Sequence, residues 1–213
     1  MTTPRTFGLC IALGAFASCA QADIINIVSN NASSSNETSY GSFTGSLQYD
    51  FIAPGIAQLS LTLTNTSDHE GKLVALAFDA ATGTSGWSFD STMSTGLSDD
   101  WSDLDGGAST APFGDRAFGA STSNSWIGGG SPNGGLAAGA TATWVFMGSG
   151  GLDVGALDFL SPNGGHNLLF RFRGFSNGAS DKVPAMAVTD PIPGAAGLPA
   201  IALLGFRRRR RRG

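Results

Sequence analysis

Short runs of alternating apolar and polar residues, separated by glycine and proline, constrain this chain more than any other feature of its sequence. In each run the apolar side chains recur at every second position, so an extended strand would place them on one face and the polar side chains on the other. This pattern is typical of an antiparallel sheet with one buried and one solvated face. The runs are residues 47–51, 59–63, 74–79, 140–147 and 168–175.

Turn-forming segments separate these runs at short intervals. The chain contains 31 glycines, and Pro-Gly or Ser-Pro-Asn-Gly-Gly sequences occur at residues 54–55, 131–135 and 161–165. Regular short strands with such breaks and almost no helical periodicity predict an all-β fold. We therefore expect a single antiparallel β-sandwich, jelly-roll or immunoglobulin-like, over residues 23–189. Residues 152–160 fit either a short helix or a strand.

The N-terminal residues have the three-part pattern of a secretory signal peptide. Residues 1–5 supply a cationic start, residues 7–17 are uncharged and mostly apolar, and Ala20-Gln21-Ala22 provides the small residues of a cleavage site. We expect residues 1–22 to be removed by cleavage before Asp23. A transmembrane helix is the competing interpretation, but eleven residues rise only about 16 Å, whereas a hydrocarbon core is about 30 Å thick.

Both cysteines, Cys10 and Cys19, lie inside the predicted signal peptide. Residues 16–19 loosely resemble a bacterial lipoprotein cleavage sequence, so lipidation of Cys19 is the alternative to cleavage before Asp23. After cleavage before Asp23 the mature chain contains no cysteine, and disulfides cannot stabilise it. A mature domain of about 165 residues is long enough to bury a core without them.

Three features follow one another at the C-terminus, and we interpret them as a sorting or anchoring signal over residues 190–213. A proline-bearing hinge at residues 190–194 precedes an apolar run at residues 195–206, and six consecutive arginines follow. As a helix the apolar run would be about 18 Å long, which is short for permanent residence in a bilayer. Arginines beside an apolar segment favour the cytoplasmic side of a membrane, so we expect the domain on the other side.

In their order and position these three features resemble the PEP-CTERM family of bacterial sorting signals. The resemblance implies recognition by an exosortase, a membrane transpeptidase-like protease. Ile192 stands where that family has glutamate, and the apolar segment is shorter than usual. Residues 61–66 and 170–175 are similar to parts of the secreted β-sandwich domains found ahead of such tails. The residues assigned to the sorting signal are Pro191, Ile192, Pro193, Gly194, Arg207, Arg208, Arg209, Arg210, Arg211 and Arg212.

The charge of the domain argues against nucleic acid as a partner. Residues 23–190 contain five basic and sixteen acidic residues, which gives a net charge of −11. An acidic domain repels phosphate groups, although an arginine run alone would attract them. We therefore interpret the terminal arginines as an address.

No group of residues has the sequence pattern of a catalytic site. Zinc sites need three or four converging ligands, and the chain offers only His69 and His166, far apart in sequence. A Ser-His-acid site would need a spatial arrangement that the sequence does not show. We expect a protein that is not an enzyme and that needs no cofactor, with calcium as the one candidate ion.

The most concentrated acidic segment is the candidate calcium site. It places four carboxylates within seven positions, and calcium prefers several oxygen ligands from one tight loop. The EF-hand spacing fails, because Trp101 would occupy the first ligand position and Pro112 the last. A solvated acidic loop is the simpler interpretation. The candidate ligands are Asp99, Asp100, Asp103 and Asp105.

The four tryptophans are the candidates for stacking on sugar rings. Trp144 lies in an alternating run and is expected in the core. Trp87, Trp101 and Trp126 lie near small and polar residues, which makes them candidate surface platforms, although packing under loops is the simpler interpretation for all three. Trp101 adjoins the acidic segment and is the candidate ligand contact.

Together these features predict an exported, non-enzymatic protein of the cell envelope or extracellular matrix, at least transiently anchored in the membrane by its C-terminal tail. The expected partners are the export machinery, signal peptidase, an exosortase-like processing enzyme and the membrane itself. The alternative is a carbohydrate- or calcium-binding surface module in the same location, with an extracellular polysaccharide as its ligand.

Overall fold

The structure is a computed structural model that describes residues 22–36, 40–123, 126, 132–160 and 166–188. Within these residues the chain forms twelve strands and three short 3-10 helices, the latter at Asn31–Ser33, Pro132–Gly134 and Ala156–Phe159. In chain order the strands are β1 (Ala22–Ser29), β2 (Phe43–Ala53), β3 (Ile56–Asn65), β4 (Lys72–Phe78), β5 (Ser85–Phe89), β6 (Ser102–Asp103), β7 (Ala108–Ser109), β8 (Asp115–Arg116), β9 (Phe118–Ser121), β10 (Thr141–Ser149), β11 (Leu168–Arg173) and β12 (Asp181–Ala187).

Ten of these strands form one antiparallel sheet, in the order β5–β10–β3–β2–β1–β12–β11–β4–β9–β6, while β7 and β8 pair separately. The first and last strands of the sheet approach each other. The backbone N–H of Phe89 in β5 donates a hydrogen bond to Asp103 Oδ1 in β6 at 2.8 Å. The sheet is therefore nearly closed into a barrel, and the prediction of an all-β, antiparallel fold is confirmed.

The alternating runs fall where strands form. Each of the five predicted runs overlaps one of β2, β3, β4, β10 and β11. The sequence did not indicate β1, β5 or β12. Residues 152–160, for which a helix or a strand was expected, contain only the 3-10 helix at Ala156–Phe159.

The inner face of the sheet forms the main core. In β3, for example, Leu59, Leu61 and Leu63 are buried, while the residues between them are partly exposed. Aromatic rings fill the interior, and the Phe78 and Phe146 rings meet edge to face with their centroids 4.8 Å apart. Each large side chain buried in this way stabilises the fold by about 1.5–3 kcal/mol.

A second, smaller core lies on the outer face of the sheet, over β4 and β11. Ala75, Ala77 and Leu169 of these strands are covered by Leu104, Ala108 and Trp126. Two basic side chains hold this cover in place. Arg171 donates to the carbonyl oxygen of Trp126, and Lys182 donates to that of Ala111. Burial, and secondarily the neighbouring Arg173, lowers the Arg171 pKa; burial, and secondarily Arg171, lowers that of Lys182.

The chain enters and leaves the sheet at the same end. β1 and β12 are antiparallel neighbours, with Ile27 opposite Ala187, and the Val188 N–H donates to the Asn26 carbonyl oxygen at 2.9 Å. β12 therefore runs toward the beginning of β1. We call this end of the sheet, where β1 begins and β12 ends, the terminal end, and the opposite one the far end. No helix among the described residues is long and apolar enough to cross a membrane.

Candidate functional site

A polar groove of about 420 Å³ lies beside the end of β5. Hydroxyl groups and one carboxylate dominate its lining, with two aromatic rings. A smaller cavity of about 170 Å³ shares three of its residues and extends toward residues 133–137. The groove is lined by Phe89, Ser91, Thr92, Ser94, Leu97, Ser98, Asp99 and Trp101.

One wall of the groove is the turn that follows β5, and Asp90 organises it. The Asp90 Oδ1 atom accepts hydrogen bonds from the Thr92 hydroxyl at 2.6 Å and from the Thr92 N–H at 2.9 Å. The Thr92 hydroxyl is the largest cause of the lowered Asp90 pKa, and backbone N–H groups lower it further. The Ser94 hydroxyl in turn accepts a hydrogen bond from the Val145 N–H at 2.9 Å. The turn is thus fixed both internally and to β10.

The opposite wall is fixed by one backbone carbonyl. The Gly134 oxygen accepts hydrogen bonds from the Ser98 hydroxyl at 2.8 Å and from Trp101 Nε1 at 3.2 Å. The Asp100 side chain packs against the same glycine so closely that a Cβ at Gly134 would overlap it. Thr95 pairs with Thr143 near the start of β10. Because β10 begins at the far end, the groove lies toward that end.

Trp101 forms the floor of the groove and leaves little of its ring accessible. Its side chain is 5% exposed, and it packs edge to face on Trp144 with ring centroids 5.1 Å apart. Trp87 and Trp126 are also buried, as is Trp144. The prediction that these three pack inside the protein agrees with the structure, whereas Trp101 is not the exposed stacking platform that a sugar-binding surface would need.

The four candidate calcium ligands do not converge on one point. Asp103 accepts the hydrogen bond that links β5 to β6, and Asp100 packs on Gly134. Asp99 lines the groove, whereas Asp105 is exposed in a turn. Among the described residues no three carboxylate, imidazole or thiol groups are placed to hold a metal ion. The geometry therefore gives the calcium hypothesis no support.

The two histidines also lie in separate places. The His69 ring packs edge to face on Tyr40, with centroids 5.1 Å apart. The His166 ring contacts Phe113 at 5.0 Å, and its carbonyl oxygen accepts a hydrogen bond from Arg116 at 3.0 Å. Neither contributes to the groove.

The predicted cleavage site is only partly described. Ala22 and Asp23 already belong to β1, and Asp23 Oδ2 accepts a hydrogen bond from the Ala156 N–H at 2.7 Å. Ala20 lies outside the described residues, as do all the residues of the sorting signal from Pro191 to Arg212. The sequence-based assignments of both signals therefore stay predictions.

The lining of the groove offers hydroxyl donors and acceptors and the carboxylate of Asp99 beside the Trp101 ring. These groups are able to hydrogen-bond to a ligand that carries hydroxyl groups. Sequence reasoning found only Asp99 and Trp101 of this lining. The Ser and Thr residues at positions 91–95 were a weak signal, because such residues are equally common in plain turns.

A different surface occupies the terminal end. Among the described residues eight large apolar side chains are exposed. Five lie beside the start of β1: Ile24 itself, Ile52 and Ile56 at the β2–β3 turn, and Leu152 and Leu157 in the segment after β10. Met186 and Val188 lie at the end of β12, where Met186 is opposite Val28 of β1, and Met93 lies toward the far end.

Comparison with protein families, with curated proteins and with solved structures finds no match for this chain.

Proposed function

We propose that this is an exported, non-enzymatic protein of the cell envelope or extracellular matrix, sorted through its C-terminal tail. The main supporting observation is that β1 begins at the last residue of the predicted signal peptide and β12 ends three positions before the predicted sorting signal begins, and that the two strands are antiparallel neighbours in one sheet. Both targeting segments therefore depart from the terminal end. A tail held in a membrane would leave the far end, with its groove, accessible.

The proposed fold is a β-sandwich whose layers are the two halves of the nearly closed sheet. One layer would comprise β5–β10–β3–β2–β1 and the other β11–β4–β9–β6, with β12 joining them. The main core draws on both halves, for example on Leu61 of β3 and Phe170 of β11. Such a domain would serve as a stable folded unit for display, without disulfides.

The test measures processing of the signal peptide and of the C-terminal tail in cells. The full chain is produced in a bacterium that encodes an exosortase, and a variant with Arg207 to Arg212 replaced by glutamine is compared with it. We expect the mature chain to begin at Asp23 and the variant to change in membrane retention or in processed mass. A matched control is Lys72→Gln, which removes a basic residue of the domain. Unchanged fractionation and mass in the arginine variant would contradict the proposal.

A carbohydrate-binding function is the second candidate, and the hydroxyl-lined groove favours it. The ligand would be a neutral oligosaccharide that hydrogen-bonds to Asp99 and the groove hydroxyls above Trp101. Titration with neutral oligosaccharides, followed by tryptophan fluorescence, should give a saturable change that Asp99→Asn weakens several-fold. Asp105→Asn is the matched control, since Asp105 is exposed outside the groove. Equal responses of the two variants would exclude this site.

A further inference from the structure

In the part of the chain that the structure describes, most of the exposed large apolar side chains lie at the terminal end of the domain. Single exposed apolar residues are normal on soluble proteins, but concentrated ones mark contact surfaces. Ile52 and Ile56, beside the β2–β3 turn, are 48% and 46% exposed. Leu152 and Leu157 are 63% and 51% exposed on the neighbouring segment after β10. The concentration lies at the same end from which the chain continues toward its tail.

The chain outside the described domain limits how far this end can lie from whatever holds the tail. Six residues, 189–194, separate Val188 from the apolar run at residues 195–206. Val188 and Ala195 are therefore seven residue steps apart, which span at most about 25 Å when fully extended. A bilayer that takes up residues 195–206 would therefore lie within that distance of Val188.

We propose that the terminal end of the domain rests on the surface of a lipid bilayer, with its exposed apolar side chains in the interfacial region. The inference rests on the proposed membrane role of the tail and adds an orientation to it. The domain then stands on the membrane with the β2–β3 turn toward the lipid and the groove away from it. Apolar side chains inserted at an interface strengthen an anchor that is short on its own.

The charges at the terminal end favour a lipid surface over a second copy of the chain. Asp50 pairs with Ala22 at the start of β1, and Asp153 follows Leu152. In a two-fold dimer through this end, these carboxylates would come close to their own copies, and like charges repel. A zwitterionic bilayer surface imposes no such repulsion. We therefore take phosphatidylcholine vesicles as the probe membrane.

The experiment places one fluorescent probe at each end of the mature protein, which begins at Asp23 and contains no cysteine. A single cysteine is introduced by Ile56→Cys or, as the matched control, by Met93→Cys, where Met93 is 48% exposed toward the far end. Each variant is labelled with an environment-sensitive dye and bound to phosphatidylcholine vesicles. We expect the dye at position 56 to shift to the blue and iodide quenching to fall several-fold, with no change at position 93.

Vesicle flotation separates failure of this inference from failure of the proposed function. Protein that floats with the vesicles while both dyes stay equally quenched overturns the orientation and leaves the role of the tail standing. Protein that does not float overturns both. Protection of both dyes also overturns the orientation, since the whole domain would then be buried.

A second set of variants tests the contribution of the apolar side chains themselves. Ile52→Ser, Ile56→Ser and Leu157→Ser combined should lower the vesicle-bound fraction several-fold relative to Met93→Ser. All four positions are exposed, so the thermal midpoint should stay close to that of the unmodified chain and report intact folding. An equal bound fraction in the two variants would contradict the proposal.

Discussion

The carboxylate of Asp181 accepts a hydrogen bond from the backbone N–H of Gly41 at 2.9 Å, although 140 positions separate the two residues. Asp181 is fully buried at the start of β12, and Ser34 donates a second hydrogen bond to the same carboxylate. A Cβ at Gly41 would overlap the Phe172 ring. The carboxylate thus holds the segment before β2 against the start of β12 in the far half of the domain.

Removing this carboxylate should destabilise the domain. In Asp181→Ala the Gly41 N–H and the Ser34 hydroxyl lose a charged acceptor inside the protein, and we expect the free energy of unfolding to fall by about 2 kcal/mol. Urea denaturation followed by tryptophan fluorescence measures the change. Asp105→Ala, which removes an exposed carboxylate, should leave the free energy of unfolding nearly unchanged. If the two variants were equally stable, the buried hydrogen bonds would have no net effect.

Arg116 should stabilise the fold through carbonyl groups rather than through its ion pair. Its guanidinium donates to the carbonyl oxygens of His166 and Phe113 at 3.0 and 2.9 Å, while its distance to the Asp79 carboxylate is 3.6 Å. Arg116→Met leaves these carbonyls without their donor, and we expect a loss of about 2–3 kcal/mol in chemical denaturation.

The matched substitution on the ion-pair partner is Asp79→Asn. The Asp79 side chain is 38% exposed, and pairs of this kind contribute at most about 1 kcal/mol. The asparagine variant should therefore be destabilised much less than Arg116→Met. A larger loss in Asp79→Asn would mean that the ion pair dominates.

Gly45 should not tolerate even a methyl group. It is the third residue of β2, where a Cβ would overlap the backbone carbonyl oxygen of Thr62 in the neighbouring strand. Because a backbone atom cannot rotate away, Gly45→Ala is expected to cost about 2 kcal/mol and to lower the thermal midpoint by several degrees. Thr44→Ala, at the adjacent exposed position, should lower it much less. Similar midpoints would show that β2 and β3 separate easily.

Alkaline stability should depend on Tyr49. Its buried hydroxyl donates to the Gly151 carbonyl oxygen at 2.9 Å, and burial, with the nearby charge of Asp153, raises the Tyr49 pKa above its ordinary value. The folded protein then holds this proton more tightly than the unfolded chain. The resulting stabilisation is complete below the ordinary tyrosine pKa of about 10 and is lost as the pH rises above it.

The measurement compares the unmodified chain with Tyr49→Phe between pH 8 and pH 11. Tyr49→Phe should lose stability less steeply at the alkaline end, because phenylalanine has no proton to release. The difference in absorbance at 295 nm between the two proteins gives the titration of Tyr49 itself. An identical dependence of unfolding on pH in both proteins would contradict the raised pKa.

The strands with one solvated face could be predicted from sequence, and those without strict alternation could not. β3 shows the full apolar–polar repeat because its outer residues meet water. β1 contains the consecutive residues Ile24, which is exposed, and Ile25, which packs on the core. Because both are apolar, the sequence of β1 does not show the two-residue alternation of a strand. β12 contains Pro184 and has no regular alternation. An alternating sequence pattern reveals a strand only when apolar residues are confined to its buried face, and β1 and β12 do not meet that condition.

Neither the order of the strands in the sheet nor the position of the groove could be predicted from local sequence patterns. The pairing of β1 with β12 joins the two ends of the domain, and no sequence pattern in either strand indicates which strand will be its partner. The groove likewise combines the turn after β5 with Gly134, which holds Ser98 and Trp101 in place. Asp99 and Trp101 could be predicted as candidate site residues because carboxylates and indole rings often bind ligands. The serine and threonine hydroxyls beside them could be assigned to the groove only from the three-dimensional structure.

The position of β12 inside the sheet has a consequence for the order in which the domain is built. The last strand of the domain lies between β1 and β11, and not at an edge. A chain that emerges N-terminus first therefore presents nine of the ten strands of this sheet, with a gap near its centre, until residues 181–187 arrive. Pairings between such distant segments form slowly, because their loop entropy must be overcome before any contact compensates for it. The domain can therefore complete its fold only after residues 181–187 have emerged. Until then the sheet stays incomplete and the chain stays partly unfolded.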